Sequence, residues 1–426
     1  MTTQNQVHFL DELKWRGQLQ DVSDEAGLRK LGAGESLYVG TDPTGSSLHI
    51  GHLLPLITAM RVAKFGLKPI ILFGGATGFI GDPTGKRAER ALLERSTIEA
   101  NVNSLTTQTR AIFERSGVVA TFVDNYEWTR EVSVLEFLRD VGKHFTVNYM
   151  LAKDSVTSRI ESESGISYTE FSYMLLQAFD FLHLYKTKQC KIQFGGSDQW
   201  GNITAGLELI RRKLGTEAYT FSIPLLLNSE GKKMGKTESG AVFLDAKIFS
   251  PYRFHQYFLN VADADVVRLL KFFTFLSQDE IAAIEKEHSK APEKRAAQKV
   301  LADNVCTLVH GEEATKGATR SADVLFGGAS LQGISDDTLV EIFSEVPSTS
   351  LARAEVAKLT VIDLFAQAGL AKSKGEARRL IESGGAYVNN ERVSDTQSSL
   401  STIAQQASAV LVLRSGKKNY HLVKLT

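Results

Sequence analysis

The sequence is poor in cysteine and has no long apolar run. Cys190 and Cys306 are the only two cysteines among 426 residues, and neither belongs to a cluster of metal-ligand residues. This argues against a disulfide framework and against a zinc site, so we expect a reducing, cytoplasmic compartment. We also expect no metal site built from protein side chains. No apolar run approaches the ~20 residues of a membrane helix. The N-terminus has no apolar signal core, and Asp11 and Glu12 argue against a transit peptide.

The sequence also lacks net charge, but its charges are unevenly placed. The formal net charge is zero, so no global field marks a nucleic-acid binder. Residues 351–426 nevertheless contain 11 Lys and Arg against 6 Asp and Glu, a net charge of +5, which leaves −5 on the residues before them. A basic tail on an acidic body suggests that the tail binds a polyanion.

Three apolar segments are each followed by a turn rich in glycine or Asp-Pro, and the first turn leads into a helical pattern. The apolar segments cover 36–40, 69–73 and 191–194, and the first predicted helix covers 48–65. Strands that alternate with helices predict an α/β protein with a parallel, Rossmann-like sheet. Such sheets bind ligands at the C-terminal ends of their strands, where these turns lie.

The length predicts two or three domains. Helical periodicity continues from about residue 251, and the stretch around 327–350 is rich in Gly, Ser and Asp, which is typical of a linker. We expect a catalytic domain with an insertion over 1–224, a lysine-rich loop and linker over 225–250, a helical domain over 251–326, a linker over 327–350 and a small α+β domain over 351–426.

Two histidines open the first predicted helix. His49 and His52 lie three residues apart and so share a helix face. The free N–H groups and positive dipole end of a helix start favour phosphate. Gly51 leaves room for a flat group such as adenine, and Asp42 and Thr44 lie on the preceding loop. For an isolated pair of this kind, two surface histidines are the ordinary explanation.

His-Ile-Gly-His after a strand resembles the first signature of class I aminoacyl-tRNA synthetases. The later stretch Lys233-Met234-Gly235-Lys236-Thr237 resembles their second signature, with Gly235 and Thr237 in place of serines. Lysine- and glycine-rich loops are usually only solvated turns. The two signatures in this order indicate a class I catalytic domain.

The predicted helix from residue 168 carries a polar stripe. Ser167 and Glu170 are spaced as a capping box that starts it. Tyr173, Gln177 and Asp180 then follow at i, i+4 and i+7, on one face of an otherwise apolar helix. The stripe either faces solvent or, if buried, must find hydrogen-bond partners.

This helix and the segment 196–203 resemble the tyrosyl-tRNA synthetases of bacteria, as does 40–44, although Thr41 stands where phenylalanine is common. The similarity runs from about residue 10 to 311 and resumes in the tail. It implies that the chain activates L-tyrosine with ATP, forming tyrosyl-adenylate and pyrophosphate, and transfers tyrosine to the 3′ end of tRNA(Tyr). It also implies Mg²⁺ held by the ATP phosphates, no zinc and a homodimer.

The same resemblance assigns roles to individual residues. Those implied to bind tyrosine are Tyr38, Asp82, Tyr173, Gln177, Asp180 and Gln199. Those implied to bind ATP are Gly40, Asp42, Thr44, His49, Gly51, His52, Asp198, Lys233 and Lys236. Those implied to act in catalysis are Thr44, His49, His52, Lys86, Arg90, Lys233, Lys236 and Thr237.

The tail predicts a helix pair followed by a hairpin, and a capping-box spacing at Ser373 and Glu376 starts the second helix. Basic residues on such a unit suit an RNA contact that reads shape. The stretch 368–378 resembles the small RNA-binding domain shared by a small-subunit ribosomal protein and the tail of bacterial tyrosyl-tRNA synthetases. The residues predicted to bind tRNA are Lys372, Lys374, Arg378, Arg379, Lys417 and Lys418.

Three other interpretations stay open at this point. A tryptophanyl-tRNA synthetase shares the catalytic fold, but it does not need a donor–acceptor pair for a phenol. A synthetase-like RNA-binding protein that has lost catalysis would not need the two histidines and the lysines. A nucleotidyltransferase of the same superfamily would usually be shorter and lack the tail.

Overall fold

The structure is a computed structural model. It describes residues 8–84, 92–161, 165–237, 240–327, 331, 336, 339–340, 343, 346–397, 400, 409–416 and 419–426. The chain divides into two compact units, the first formed by residues 1–250 and 257–311 and the second by residues 251–256 and 312–426. The domain boundaries given above stay predictions.

A parallel five-stranded sheet forms the centre of the first unit. Its strands are β1 (Ser36–Thr41), β2 (Lys68–Phe73), β3 (Thr121–Asp124), β4 (Cys190–Gly196) and β5 (Tyr219–Ile223). They lie in the order β3-β2-β1-β4-β5, and every neighbouring pair is parallel. The central strands read as apolar runs because both of their faces are covered. This confirms the predicted α/β, Rossmann-like class, and the strand order reverses between β1 and β4.

Helices of the first unit connect these strands, and further helices follow the sheet along the chain. In chain order up to the end of the second unit's first long helix they are α1 (Phe9–Arg16), α2 (Glu25–Leu28), α3 (Ile50–Ala63), α4 (Arg95–Ser116), α5 (Tyr126–Thr129), α6 (Val134–Asp140), α7 (Val147–Leu151), α8 (Asp154–Ile160), α9 (Tyr168–Lys188), α10 (Trp200–Leu214), α11 (Pro251–Leu259), α12 (Asp263–Phe273), α13 (Gln278–His288), α14 (Ala296–His310) and α15 (Glu312–Gly327). Short 3₁₀ turns occur at Thr77–Phe79, Gly142–His144, Ser197–Gln199 and Pro292–Lys294. Within the described residues no helix is both long and apolar enough to cross a membrane.

A buried ion pair fixes the start of α9, the helix with the polar stripe. Ser167 caps this helix by accepting a hydrogen bond from the Glu170 backbone N–H at 3.2 Å. The Glu170 carboxylate also binds Arg159 of α8 at 2.7 Å, with both side chains 2% exposed. Breaking such a pair from one side leaves a buried charge uncompensated, so the pair holds α9 in place. Tyr173 and Asp180 are buried, so the stripe faces the interior rather than solvent.

The second unit contains a small mixed sheet. The first unit also contains two short strands, β6 (Lys236–Thr237) and β7 (Gly240–Ala241), which come before the strands of this sheet in the chain. The strands of the second unit are β8 (Ser348–Leu351), β9 (Ala386–Val388), β10 (Glu391–Arg392), β11 (Val410–Ser415) and β12 (Asn419–Leu425), in the order β10-β9-β11-β12-β8. Helices α16 (Arg353–Val356), α17 (Val361–Gln367) and α18 (Lys374–Glu382) share an apolar core with one face of this sheet.

The segment predicted to be a linker contributes to the second unit. Strand β8 begins within it and pairs in parallel with β12. Leu331, Leu339 and Phe343 are buried in one cluster with Val412 and Leu422 of the sheet. These apolar side chains are spaced irregularly between polar residues, which is why composition alone suggests a linker.

Candidate active site

A cavity of about 480 Å³ opens at the C-terminal ends of β1 and β4. This is the point where the strand order reverses, the usual ligand site of open parallel sheets. The structure brings together at this cavity every predicted tyrosine-, ATP- or catalytic residue whose side chain it describes: Tyr38, Gly40, Asp42, Thr44, His49, Gly51, His52, Asp82, Tyr173, Gln177, Asp180, Asp198, Gln199 and Lys233.

Tyr38 and Asp180 present an unused donor and a fixed acceptor to this cavity. The Tyr38 hydroxyl is buried and has no hydrogen-bond partner among the described residues. Asp180 accepts hydrogen bonds from Asn125 Nδ2 and Trp128 Nε1, each at 2.9 Å. An unpaired buried hydroxyl costs roughly 1–3 kcal/mol, so this pocket suits a ligand with a polar group at that point.

Burial raises the pKa of the Asp180 carboxyl to about 7, and the two hydrogen bonds from Asn125 and Trp128 oppose that rise because they favour the charged form. Burial, followed by the nearby Asp180 charge, raises the pKa of the Tyr38 hydroxyl. Tyr38 is therefore a neutral donor at any working pH, whereas Asp180 titrates near neutrality.

A hydrogen-bond network links this acceptor to the opposite part of the cavity wall. Asn125 Nδ2 donates to Thr77 Oγ1 at 3.2 Å, and the Thr77 hydroxyl donates to Asp42 at 2.7 Å. The Tyr173 hydroxyl donates to the other Asp42 oxygen at 2.8 Å. Because the Tyr173 proton is used for Asp42, the lone pairs of its oxygen are left to accept from a ligand.

Sequence reasoning missed Thr77, Asn125 and Trp128. Thr77 follows the glycine turn after β2, and Asn125 directly follows β3. Both positions lie at the C-terminal edge of the sheet, which is the signal that could have found them. Trp128 lies one helical turn further on, and only the folded structure shows its indole N–H on Asp180.

Asp82 and Gln199 form a second fixed pair. Gln199 Nε2 donates to Asp82 at 2.7 Å, and Asn202 Nδ2 donates to the Gln199 oxygen at 3.1 Å. The Thr84 backbone N–H donates to the other Asp82 oxygen at 2.9 Å. These bonds set the orientation of the Gln199 amide and leave the Asp82 carboxylate beside the cavity.

His49 and His52 stack at the start of α3, with ring centroids 3.9 Å apart. Gly51 N–H donates to His49 Nδ1 at 3.1 Å, and His49 N–H donates to His52 Nδ1 at 3.2 Å. Burial, with His49 as a smaller cause, lowers the pKa of His52 to about 3. His52 is therefore neutral, and its hydrogen bond assigns the ring proton to Nε2, which becomes a donor.

Glycine is required at position 51. A Cβ there would lie 2.8 Å from His49 Cε1, closer than real contacts allow. The glycine therefore permits the histidine stack as well as a close approach to the helix start.

The lysine-rich loop is tied to the same helix start. Ile50 N–H donates to Val242 O at 3.1 Å, and Leu244 N–H donates to Leu48 O at 2.8 Å. Val242 N–H in turn donates to Gly235 O at 2.9 Å. Gly235 has φ +93°, and a Cβ there would lie 2.8 Å from Ile50 Cγ1, so this conformation requires glycine where the related signature has serine.

Lys233 is exposed at the cavity rim. Lys236 and Thr237 contribute the backbone of β6, and their side chains lie outside the described residues, as do Lys86, Arg90, Lys417 and Lys418. In the described part of the chain, no three His, Cys, Asp or Glu side chains cluster as a metal site would require.

The basic residues predicted in the tail lie on and beside α18. Lys372, Arg378 and Arg379 are exposed, and Lys374 pairs with Asp363 at 2.6 Å. Ser373 caps α18 by accepting from Glu376 N–H at 3.2 Å, while the Glu376 carboxylate accepts from Lys372 N–H at 2.7 Å. All four of these described cations are therefore exposed, and Lys374 keeps a side-chain exposure of 76% within its ion pair.

Two models of tRNA synthetase families match this chain, and together they cover most of its length. Residues 33–327 match the family of class I tRNA synthetases (W and Y), and residues 338–423 match the SYY-like C-terminal domain of tyrosine--tRNA ligase. The chain is 50% identical to the tyrosine--tRNA ligase of Geobacillus stearothermophilus, over 98% of this chain and 100% of that protein. It is also 50% identical to that of Opitutus terrae, over 98% of this chain and 99% of that protein.

Solved structures of tRNA synthetases are also similar to this chain. A C-terminally truncated mitochondrial tyrosyl-tRNA synthetase of Aspergillus nidulans is 31% identical with a TM-score of 0.69, covering 76% of this chain and 95% of that chain. A tryptophanyl-tRNA synthetase of Plasmodium falciparum, at 15% identity and a TM-score of 0.52, covering 79% of this chain and 88% of that chain, shares the fold alone.

The raised pKa of the Asp180 carboxyl predicts that the free energy of unfolding depends on pH. Its folded-state pKa of about 7 lies above the ordinary 3.8, so folding favours the protonated form. The resulting stabilisation is fully present below about pH 4 and is lost as the pH rises to about 7. The free energy of unfolding of the parent should therefore fall by up to about 4 kcal/mol across this range, and Asp180→Asn should not show this fall.

Urea unfolding of both proteins, without added ligands, from about pH 4 to 8 measures this. The variant also carries a constant cost because Asn has one acceptor oxygen for two donors, so the slope is the diagnostic quantity. Parallel pH profiles would show that Asp180 titrates at its ordinary pKa.

Proposed function

The chain belongs to the class I tRNA synthetases of the tryptophan and tyrosine type, and from this we propose how its residues carry out the reaction. Its activity is that of a tyrosine–tRNA ligase. L-tyrosine is activated with ATP to tyrosyl-adenylate and pyrophosphate, and the tyrosyl group is then transferred to the 3′ end of tRNA(Tyr). The roles of individual residues, the metal ion and the oligomeric state are the proposals.

The observation that carries the tyrosine assignment is the pair formed by Tyr38 and Asp180. The substrate's phenolic hydroxyl accepts from the unpartnered Tyr38 hydroxyl and donates to the Asp180 carboxylate. Asn125 and Trp128 hold that carboxylate in position. The indole N–H of tryptophan is only a donor, so it would leave Tyr38 unpaired. Phenylalanine would leave Tyr38 unpaired and would also give the remaining lone pairs of Asp180 no donor.

The α-ammonium group of tyrosine lies among acceptors. The Tyr173 hydroxyl donates its hydrogen bond to Asp42, so its oxygen is left to accept one from the ammonium group. Gln177 and the Asp82 carboxylate also accept from the ammonium group. Gln199, which Asp82 and Asn202 orient, stands near the substrate carboxylate. The tyrosine is thereby bound at both of its ends.

ATP lies along the remaining wall. The backbone at Gly40 and the Asp198 carboxylate hold the ribose, His52 packs near it, and Gly51 admits the base. Thr44 and the imidazole of His49 meet the phosphates, with Asp42 on the same loop. Mg²⁺ accompanies ATP and is held largely by the phosphates.

The reaction is an attack of the tyrosine carboxylate oxygen on the α-phosphorus. The new O–P bond forms as the bond from the α-phosphorus to the bridging oxygen breaks, and pyrophosphate leaves with that electron pair. Such transfers depend on alignment and charge neutralisation. Lys233, with Lys236, Lys86 and Arg90, neutralises the leaving pyrophosphate, and no covalent enzyme intermediate is formed.

Amino-acid-dependent exchange of pyrophosphate into ATP tests the assignment of the phenol site. The parent should support exchange with tyrosine and not with tryptophan or phenylalanine. Asp180→Ala should lose the discrimination between tyrosine and phenylalanine while its KM for ATP stays close to the parent value. Sites that bind a substrate hydroxyl discriminate by ~10⁴–10⁵, a magnitude for which tyrosine enzymes of this family are the reference case.

Exchange with tryptophan in the parent would overturn the substrate assignment. Full discrimination in Asp180→Ala would show that another group binds the phenol.

The role of the lysine loop is tested by Lys233→Ala. Its contact forms mainly with the leaving pyrophosphate in the transition state, so kcat for adenylate formation should fall by about tenfold or more while tyrosine affinity is kept. Single-turnover kinetics and equilibrium binding of tyrosine measure the two quantities.

Lys232→Ala is the matched control. Lys232 is a neighbouring, exposed lysine that pairs with Glu230 at 2.8 Å and does not line the cavity. Equal rates for Lys233→Ala and Lys232→Ala would refute the assignment.

We propose that the chain forms a homodimer through the segment from α6 to the start of α9. Exposed large apolar side chains concentrate there: Val134, Leu135, Leu138, Val147, Leu151, Ile160 and Tyr168. Exposed apolar groups of this density are typical of an interface. An assembly of two 46.8 kDa chains would bury them.

Sedimentation velocity tests the dimer. Leu135→Asp should shift the protein towards the monomer, because Leu135 is 79% exposed within the segment and the charge would have to be buried. Val119→Asp is the control, since Val119 is 90% exposed but lies outside the segment. A monomeric parent, or dimers of unchanged strength in Leu135→Asp, would contradict the proposal.

We propose that the second unit binds tRNA(Tyr) through Lys372, Arg378 and Arg379, with Lys374, Lys417 and Lys418 contributing charge. The net charge of +5 on residues 351–426 supports this, because phosphate contacts supply most of the affinity for nucleic acids. Charging of tRNA measured beside pyrophosphate exchange separates this role from the catalytic one.

A further inference from the structure

Four side chains form a continuous row across the small sheet of the second unit. Arg392 of β10 is paired with Tyr387 of β9, Tyr387 with Arg414 of β11, and Arg414 with Tyr420 of β12. Residues directly paired on antiparallel strands lie on the same face. Arginine and tyrosine therefore alternate over four adjacent strands, and we call this set the Arg–Tyr row.

The row is fixed in place. The Arg414 guanidinium lies 3.7 Å above the Tyr387 ring centre and 6.0 Å from that of Tyr420. Arg414 Nη1 also donates to Gly416 O at 3.0 Å. The Arg392 guanidinium lies over Gly384, where a Cβ would sit 1.5 Å from Nη2, and the φ of +73° at Gly384 favours glycine.

The row lies on the face of the sheet away from α18. Leu413 and Val388 point into the core that the sheet shares with α17 and α18. Val412, two residues before Arg414, points to the other face, where it packs near Phe343. Arg392 is exposed, and Tyr387, Arg414 and Tyr420 are half-buried. The Tyr420 ring packs on Phe343 with ring centroids 5.2 Å apart, so the part of the row that solvent reaches is formed mainly by Arg392, Tyr387 and Arg414.

We propose that the Arg–Tyr row is a second RNA contact of the tail, which stacks an unpaired base of tRNA and binds the adjoining phosphates. The proposal depends on the proposed function, since it takes tRNA as the partner of the second unit. Unpaired bases stack on aromatic rings and on guanidinium planes, and the row offers both in alternation. Its two arginines carry the positive charge that an RNA strand requires, and no carboxylate stands within the row.

The charge of the row favours RNA over a protein partner. Within the row each tyrosine stands next to an arginine, so an apolar surface docking here would have to desolvate two guanidinium groups. A nucleotide satisfies both parts at once, with its base on the π-faces and its phosphate on the cations.

The test compares variants of the full chain in tRNA charging, tRNA binding and pyrophosphate exchange. Tyr387→Leu and Arg414→Gln should each raise the KM for tRNA by about tenfold, the order expected for one stacked base. Tyr387→Phe should keep the parent KM for tRNA because the aromatic ring is retained. Arg414→Lys should give a KM between those of the parent and Arg414→Gln, because lysine keeps the positive charge but lacks the planar guanidinium group. All should support exchange at the parent rate.

Salt dependence separates the two kinds of side chain. Arg414→Gln should reduce the slope of log affinity against log salt by about one, whereas Tyr387→Leu should leave the slope unchanged. Lys358→Gln is the control, since Lys358 is an exposed tail cation outside the row, and it should leave the KM for tRNA within about twofold.

A combined Lys372→Ala, Arg378→Ala and Arg379→Ala variant is measured in parallel. If this helix variant loses tRNA affinity and the row variants do not, the row proposal falls and the tail proposal stands. If neither loses affinity, both fall. A row variant with altered sedimentation would show a protein interface and overturn the row proposal. Should Tyr387→Leu fail to fold, equal KM values for Arg414→Gln and the parent would overturn it as well.

Discussion

Burial of the Asp180 carboxylate costs free energy, and the arrangement of the cavity wall follows from how that cost is offset. Its two oxygens receive donors from Asn125 and Trp128, which both come from the segment after β3. Asn125 is held in turn by Thr77 and by the Ala76 backbone, so the end of β2 and the end of β3 are locked to α9. A polar group in a dry site is useful for recognition because leaving it unpaired is expensive, and it can stay there only if neighbouring groups fix it.

The two signature segments are one structure rather than two separate motifs. Backbone hydrogen bonds join Leu48 and Ile50 to Leu244 and Val242, so the lysine loop and the start of α3 share a short ladder. Close contact at Gly235 and Ile50 completes the junction. The ladder therefore couples the position of the lysine loop to that of the histidine stack, and so links the residues proposed to neutralise pyrophosphate with those proposed to hold ATP.

Much of the fold and of the site could be predicted from the sequence. Apolar segments ending in glycine or Asp-Pro turns indicated the parallel sheet, and the spacing of Tyr173, Gln177 and Asp180 placed them on one helix face. Thr77, Asn125 and Trp128 are harder to predict, because Thr77 follows β2 while Asn125 and Trp128 follow β3, and only the sheet order brings these two segments to the same cavity. Strand β8 was not predicted for a similar reason. Ser348–Leu351 has the composition of a loop, and it forms a strand by pairing with β12 at the other end of the tail.

The two binding roles proposed for this chain depend on different physics. In the proposed function, tyrosine is recognised in a buried cavity by hydrogen bonds, which salt screens little because the groups are desolvated. The proposed contact of the tail with tRNA uses exposed cations, and such contacts release counterions and weaken steeply as salt rises. Within the tail, α18 and the Arg–Tyr row lie on opposite sides of one small sheet, with the apolar core between α18 and the sheet. An RNA that contacts both must therefore reach around an edge of that sheet, and a rigid double helix cannot do so as readily as an unpaired segment can.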